Sequence, residues 1–250
     1  MMKRLVAFGA ALLIAACLDL GTDPNEIGAI SFDGVPYPAV VIGDTLRNEQ
    51  GQVTALSATV MSGAGDTLAD PDVQFFARDT TVTLTSSALV IGRRAGIARF
   101  FAATDGLQSV TREIDVVTRP ESAVFVRAPD TMTVSSVDTT NNSGDFRLRL
   151  VNAAGTGVEG FLVRYTLEFR GQIIAPGDTT QILMVDEAGR PSVLDTTDAS
   201  GEGARRVHVR VPQLSGVSDS AVVRFRVSAG AYPAVQREFR HVLRFSPPGR

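Results

Sequence analysis

Two clusters of side chains carry the chemistry this sequence could offer. Arg147 and Arg149 alternate with apolar residues in "FRLRL", and Arg206 and Arg210 do so in "RRVHVRV". Four guanidiniums on one surface would grip phosphate or carboxylate in bidentate fashion. The segment "DTTDASGE" supplies Asp195, Asp198, Ser200 and Glu202, oxygen ligands at spacings partly like those of a calcium loop. Its glycine and terminal carboxylate fall out of step with the twelve-residue pattern, however, and Asp or Ser ahead of a glycine also makes a turn by bonding its own backbone. A turn is therefore the expectation here, and a metal site at Asp195, Asp198 and Glu202 the alternative. Asp66, Asp70 and Asp72 in "DTLADPD" carry the same two readings.

Catalysis is poorly served. His208 and His241 are the 2 histidines of the chain, and His208 stands between Arg206 and Arg210. Positive neighbours there disfavour the imidazolium through which a Ser, His, Asp relay passes. No Gly-x-Ser-x-Gly elbow, His-Glu-x-x-His pair or phosphate loop occurs. Neither an enzyme nor a cofactor is expected. Stacking of sugars is also disfavoured, with 0 Trp and 3 Tyr, namely Tyr37, Tyr165 and Tyr232.

These residues sit in a chain that reads as strands throughout. Glycine (23) and proline (12) recur at short intervals, and after the first residues no segment keeps helical apolar spacing for three turns. Alternation takes its place. Leu56, Ala58 and Val60 share one face of "ALSATVMS", while Phe146, Leu148 and Leu150 share one face of "DFRLRLVN". Val207, Val209 and Val211 form another such set, and so do Val223, Phe225 and Val227. Strands with one wet face belong to antiparallel sheets, and two such sheets packed together make a sandwich. The fold class expected is all-β, as two tandem antiparallel β-sandwiches.

An internal repeat supports two units. A shift of ninety residues lays "LSATVMSGAGDTLADPDVQF" (56–75) on "FRLRLVNAAGTGVEGFLVRY" (146–165), so that Gly65 meets Gly155, Val73 meets Val163 and Phe75 meets Tyr165. An earlier pair, Asp44-Thr45-Leu46 and Asp130-Thr131-Met132, lies eighty-six apart. The boundary is placed at "VTRPES", where Pro120 interrupts pairing. This gives one sandwich over 29–118 and a second over 119–247, the latter lengthened by an extra hairpin at about 170–195 over the turn Ala188-Gly189-Arg190. Residues 17–118 hold 13 acidic residues against 6 arginines, a balance of −7. Residues 119–250 hold 14 against 16, a balance of +2. If the strands at 146–151 and 204–211 are neighbours, Arg147, Arg149, Arg206 and Arg210 share an outer face suited to an anionic polysaccharide or acidic protein. The plainer reading is a soluble strand face paired with Asp145 or Glu168, since Lys3 is the only lysine and arginine is this chain's default cation.

The start of the chain is ordered like a secretory signal: Lys3 and Arg4, an apolar stretch from Leu5 to Ile14, then Ala15 and Ala16. Asp19 ends the apolar run short of the roughly 20 residues needed to span a bilayer. Ile14-Ala15-Ala16-Cys17 resembles the lipobox of bacterial lipoproteins. That resemblance implies cleavage after residue 16, a diacylglycerol thioether on Cys17, and residues 17–28 as a tether. Leu18, standing where an aspartate favours the inner membrane in Gram-negative families, points to the outer membrane. With one cysteine, no intramolecular disulfide can form. Once Lys3 and Arg4 are removed, 22 basic residues face 27 acidic ones, a balance that argues against nucleic acid as a partner. The segments "TTDASGEGARRVHVRV" (196–211) and "GIARFFAATDG" (96–106) resemble the bacterial immunoglobulin-like domains of intimin- and invasin-type adhesins and of surface lipoproteins. The resemblance implies a structural or adhesive module of the cell envelope. Whether 96–103 is the fifth or the sixth strand of the first sandwich is open at the level of sequence.

Overall fold

The structure is a computed structural model that describes residues 26–69, 71–135, 141–178, 181–210, 220–227, 232, 235 and 238–246. The elements that organise the described residues are strands. The first group is β1 (Ile27–Gly34), β2 (Ala39–Val41), β3 (Ser57–Ser62), β4 (Gln74–Ala77), β5 (Val82–Leu84), β6 (Val90–Gly92), β7 (Gly96–Thr104), β8 (Leu107–Gln108) and β9 (Arg112–Val117). In it β1 pairs with β3, β5 with β6, and a larger sheet runs β2-β9-β7-β4, with β8 hydrogen-bonded to β7. The second group is β10 (Ser122–Arg127), β11 (Thr131–Thr133), β12 (Asn141–Asn142), β13 (Phe146–Val151), β14 (Leu162–Phe169), β15 (Gln172–Ile173), β16 (Ile182–Val185), β17 (Leu194–Thr196), β18 (Glu202–Val209), β19 (Ser220–Val227) and β20 (Glu238–Ser246).

The second group forms one sheet in the order β10-β13-β18, with β12 and β16 also on β18, and another in the order β11-β20-β19-β14, with β15 and β17 on β14. One sheet thus holds the first, second, fifth and fourth strands. The other holds the seventh, sixth and third, with the short β11 running parallel to the last strand. That is the immunoglobulin arrangement. In the first group β2 likewise runs parallel to the last strand, β9. β7 lies between β9 and β4, so Gly96–Thr104 is the sixth strand. The molecule is two tandem immunoglobulin-like sandwiches, and no strand pairing crosses from one group to the other among the described residues.

Alternation decides which side chains enter each core. Phe146, Leu148 and Leu150 are wholly buried between sheets, as are Val207, Val209 and Val223, and in the first sandwich Ala98, Phe100 and Ala102 do the same. The residues between them face out.

A single turn design joins many of these strands. At Asn48–Gln52, Ser62–Asp66, Thr85–Leu89, Asn152–Thr156, Asp186–Arg190 and Asp198–Glu202, the first residue's N–H donates to the fifth carbonyl and the fourth N–H donates to the first carbonyl. The side-chain oxygen of the first residue accepts the fifth N–H. The fourth residue has positive φ: Gly51, Gly65, Gly155, Gly189 and Gly201, with Ala88 taking the strained place at φ 57°. Such loops need an oxygen-bearing first residue and favour glycine at the fourth.

The ninety-residue repeat is physical. Met61 bridges Thr67 as Val151 bridges Gly157, and Leu68 N–H donates to Val60 as Val158 does to Leu150. The eighty-six-residue pair is not equivalent. Thr131 and Met132 lie in β11, beside Arg244 and Phe245, whereas Thr45 bridges Ile91 and Leu46 bonds Val90. The true counterpart of β11 is β2, and the shared Asp-Thr text reflects only similar composition. Residues 170–195 divide three ways: β15 folds back on β14, β16 joins β18, and β17 crosses to the opposite sheet beside β14.

Candidate functional site

β13 and β18 run antiparallel, with Arg147 opposite Ala204 and Arg149 opposite Glu202. Because Phe146, Leu148, Val207 and Val209 point inward, Arg147, Arg149, Arg206 and Arg210 belong to the outward set. The structure gives the first three of them acceptors. Asp145 accepts from Arg147 Nη2 at 2.9 Å and from Arg206 Nε at 2.6 Å. Arg147 Nη1 reaches Glu202 at 3.2 Å, and Arg149 Nε donates to the Ser200 carbonyl at 2.9 Å. Arg210 is exposed at the strand end. Partial burial pushes the Asp145 carboxyl up, but hydrogen bonds from Arg206 and Arg147 and their charges outweigh it, leaving it below the ordinary carboxylate range. Asp145 in turn raises Arg147. The face is therefore an interleaved array of both signs. On the second sheet Glu168 pairs with Arg224 at 2.8 Å.

Asp195, Asp198 and Glu202 line one side of an open polar cleft of about 570 Å³ beside Asp186 and Arg205. Each carboxylate has a structural occupation. Asp198 Oδ1 accepts the amides of Ser200 and Glu202 and the Ser200 hydroxyl, Glu202 pairs with Arg147, and Asp195 pairs with Arg205 at 2.9 Å and accepts Ala204 N–H. For Asp198, burial raises the carboxyl, and the Ser200 and Glu202 hydrogen bonds bring it below its usual value. Among the described residues no three His, Cys, Asp or Glu groups gather as they would around a metal.

Arg205 is the residue that sequence reasoning passed over. It is 8% exposed, shares the inward parity of Val207 and Val209, and fixes the start of β18 to β17 through Asp195, the Leu194 carbonyl and Ser192. Its Nε is buried without a partner. The signal was available: in "RRVHV" the first arginine, not the second, falls in step with the valines.

The tyrosines are structural. Tyr165 is 1% exposed and donates to the Gly203 carbonyl at 2.8 Å across its sandwich. Burial drives its hydroxyl far above the usual tyrosine range. Tyr37 and Tyr232 make the joint between sandwiches. Tyr37 meets Phe161 edge-on at 5.7 Å, its hydroxyl accepts Leu162 N–H at 2.9 Å, and Phe161 meets Tyr232 at 6.1 Å. Tyr232 donates to Asp44 at 2.7 Å, and Arg164 pairs with Glu49. A Cβ on Gly160 would come within 2.8 Å of Ala39 Cβ, so only glycine permits this approach. About 20 Å³ is left between Tyr37, Phe161 and Tyr232, room for one water. His208 Nδ1 lies 2.8 Å from Asn142 Oδ1, and His241 Nε2 lies 3.0 Å from the Pro129 carbonyl. Cys17 and Asp70 lie outside the described residues.

No family model matches the chain, and no curated protein matches it significantly. Among solved structures it is similar to domains 4 and 5 of the S-layer protein SbsC, with 12% identity over 88% of this chain and 98% of that one, at a TM-score of 0.32. It is similar to the adhesin InvE of Yersinia pseudotuberculosis, with 12% identity over 90% of this chain and 62% of that one, at 0.35. The titin tandem A164-A165 gives 8% identity over 88% and 100%, at 0.32. The class of the molecule, tandem immunoglobulin-like sandwiches, rests on its own strand order.

Proposed function

We propose that this chain is a lipid-anchored protein of the cell envelope, held through Cys17 to a membrane, the outer one in a Gram-negative cell. Its two sandwiches act there as a structural or adhesive module. The observation that carries the module reading is the joint. Tyr37, Phe161, Tyr232 and the Arg164–Glu49 pair tie the second sandwich to the first, which suits a coupled pair presented at a distance more than two beads on a flexible string. Lipidation at Cys17 is supported by the sequence Ile14-Ala15-Ala16-Cys17. Two or more acyl chains anchor stably, where one binds reversibly.

The deciding experiment is mass spectrometry of the membrane fraction. An acylated amino terminus at Cys17, lost together with membrane retention in Cys17→Ser, is the expected result. Unmodified protein in the soluble fraction would overturn the anchor while leaving the fold untouched.

A second reading, recognition of an anionic polysaccharide by the outer face of β13 and β18, draws support from Arg149 and Arg210. These two make no ion pair among the described residues, while Arg147 and Arg206 share Asp145. It predicts that Arg149→Ser with Arg210→Ser abolishes retention on an immobilised anionic polysaccharide. Equal retention of both forms rejects it.

A further inference from the structure

The first sandwich leaves one sheet edge open at β4 among the described residues. β4 ends its sheet: β7 lies on one side, and no strand pairs with it on the other among the described residues. Gln74 faces Ala103 and Phe76 faces Phe101, and Arg78 N–H donates to the Arg99 carbonyl at 2.9 Å. Hydrogen-bonded positions on one side of an antiparallel strand alternate with those on the other. The N–H and C=O groups of Val73, Phe75 and Ala77 therefore address the open edge. Phe75, Phe76 and Ala77 of β4, with Thr80, Thr83 and Leu84, line an open groove of about 630 Å³.

The side chains of this edge alternate as sharply as its backbone. Asp72, Gln74, Phe76 and Arg78 are exposed on one face, while Val73, Phe75 and Ala77 turn half inward. Phe76 is 41% exposed and stacks on Phe101 at 5.1 Å, and the Arg78 guanidinium lies 5.1 Å from the Phe101 ring centre. Neither Asp72 nor Arg78 has an ion pair within the chain among the described residues. Sheet edges are often blunted by lysine, proline or a bulge, and β4, though only 4 residues long, carries none of these.

We propose that β4 docks on β4 of a second copy, antiparallel across a two-fold axis that passes through Phe75. Two-fold contacts are self-complementary. This register alone sets Asp72 of each copy against Arg78 of the other, at both ends. It also makes Phe75 with Phe75, and Val73 with Ala77, hydrogen-bonded pairs, and it places Gln74 beside Phe76 of the partner copy. A slip of two residues either way keeps the backbone bonds but separates the charges. The occupant is thus a second copy of this chain, chosen by charge.

The test is sedimentation of the full chain carrying Cys17→Ser, over about 1–100 µM. A concentration-dependent dimer is expected. Asp72→Arg, which sets arginine against arginine at both ends, raises its dissociation constant by about tenfold or more, and Asp72→Arg with Arg78→Asp restores it. Oxidation should cross-link a mixture of Gln74→Cys and Phe76→Cys chains in preference to either alone, because only the mixed pair sits directly opposite, at a distance a disulfide spans. A chain monomeric throughout this range overturns the proposal and leaves the edge to an extended segment of another protein. A dimer indifferent to Asp72→Arg uses a different surface and overturns it equally.

Discussion

At Asp145 one carboxylate serves two guanidiniums, and its position between them gives it a predictable acid response. Its folded-state pKa lies below the ordinary carboxylate value, so the stability it adds is present above about pH 4, the unfolded value, and is lost as pH falls through the lower folded value. Asp145→Asn should remove that part of the acid sensitivity and cost about 1 kcal/mol near neutral pH, a modest figure because Arg147 and Arg206 remain partly solvated. Denaturant midpoints of both forms between pH 7 and pH 3 check this. Arg205 lies at the opposite extreme, with its side chain 9% exposed. Asp195→Ala leaves that guanidinium buried without its counter-charge, and a loss of about 3 kcal/mol is expected in the same assay.

Strands and turns explain how much of the fold could be read from the sequence. Period-two alternation marked β3, β13 and β18 because each buries one face only, and the ninety-residue repeat survived because it carries a hairpin whose bonds recur residue for residue. The turn design is equally legible: an Asn, Asp, Ser or Thr three places before glycine. Thr85–Leu89 escapes this rule only because Ala88 stands where glycine would. What could not be read was long-range. Nothing local tells that β17 leaves the sheet of its neighbour β16, or that Tyr37 and Phe161, 124 positions apart in the sequence, meet. Alternation places the four arginines on one face, but the pairing of Arg147 and Arg206 with Asp145 and Glu202, and the bond from Arg149 to the Ser200 carbonyl, depend on register. Two glycines of the same turn type should separate backbone strain from close packing. Gly155 has open space around its missing Cβ, so Gly155→Ala should cost about 1 kcal/mol, the left-handed backbone penalty alone. At Gly201 a Cβ would stand 2.4 Å from the Leu150 carbonyl. Gly201→Ala should therefore be far more damaging, as thermal melts of the pair would show.

For the molecule as a whole, the joint determines whether two sandwiches behave as one. Phe161 is 2% exposed and touches both Tyr37 and Tyr232. Phe161→Ala should remove about 3 kcal/mol of stabilisation and turn a single calorimetric transition into two. One unchanged transition would mean that the coupling lies elsewhere. Charge is divided unequally across the same joint, at −7 over residues 17–118 and +2 over residues 119–250, and Arg164 with Glu49 is a local instance of that complementarity. The tyrosine inventory has a practical result. With 0 Trp and 3 Tyr, near-ultraviolet emission from this protein is tyrosine emission, and two of its three emitters sit where the halves touch. Hinge opening would therefore announce itself in the native spectrum, with no dye attached.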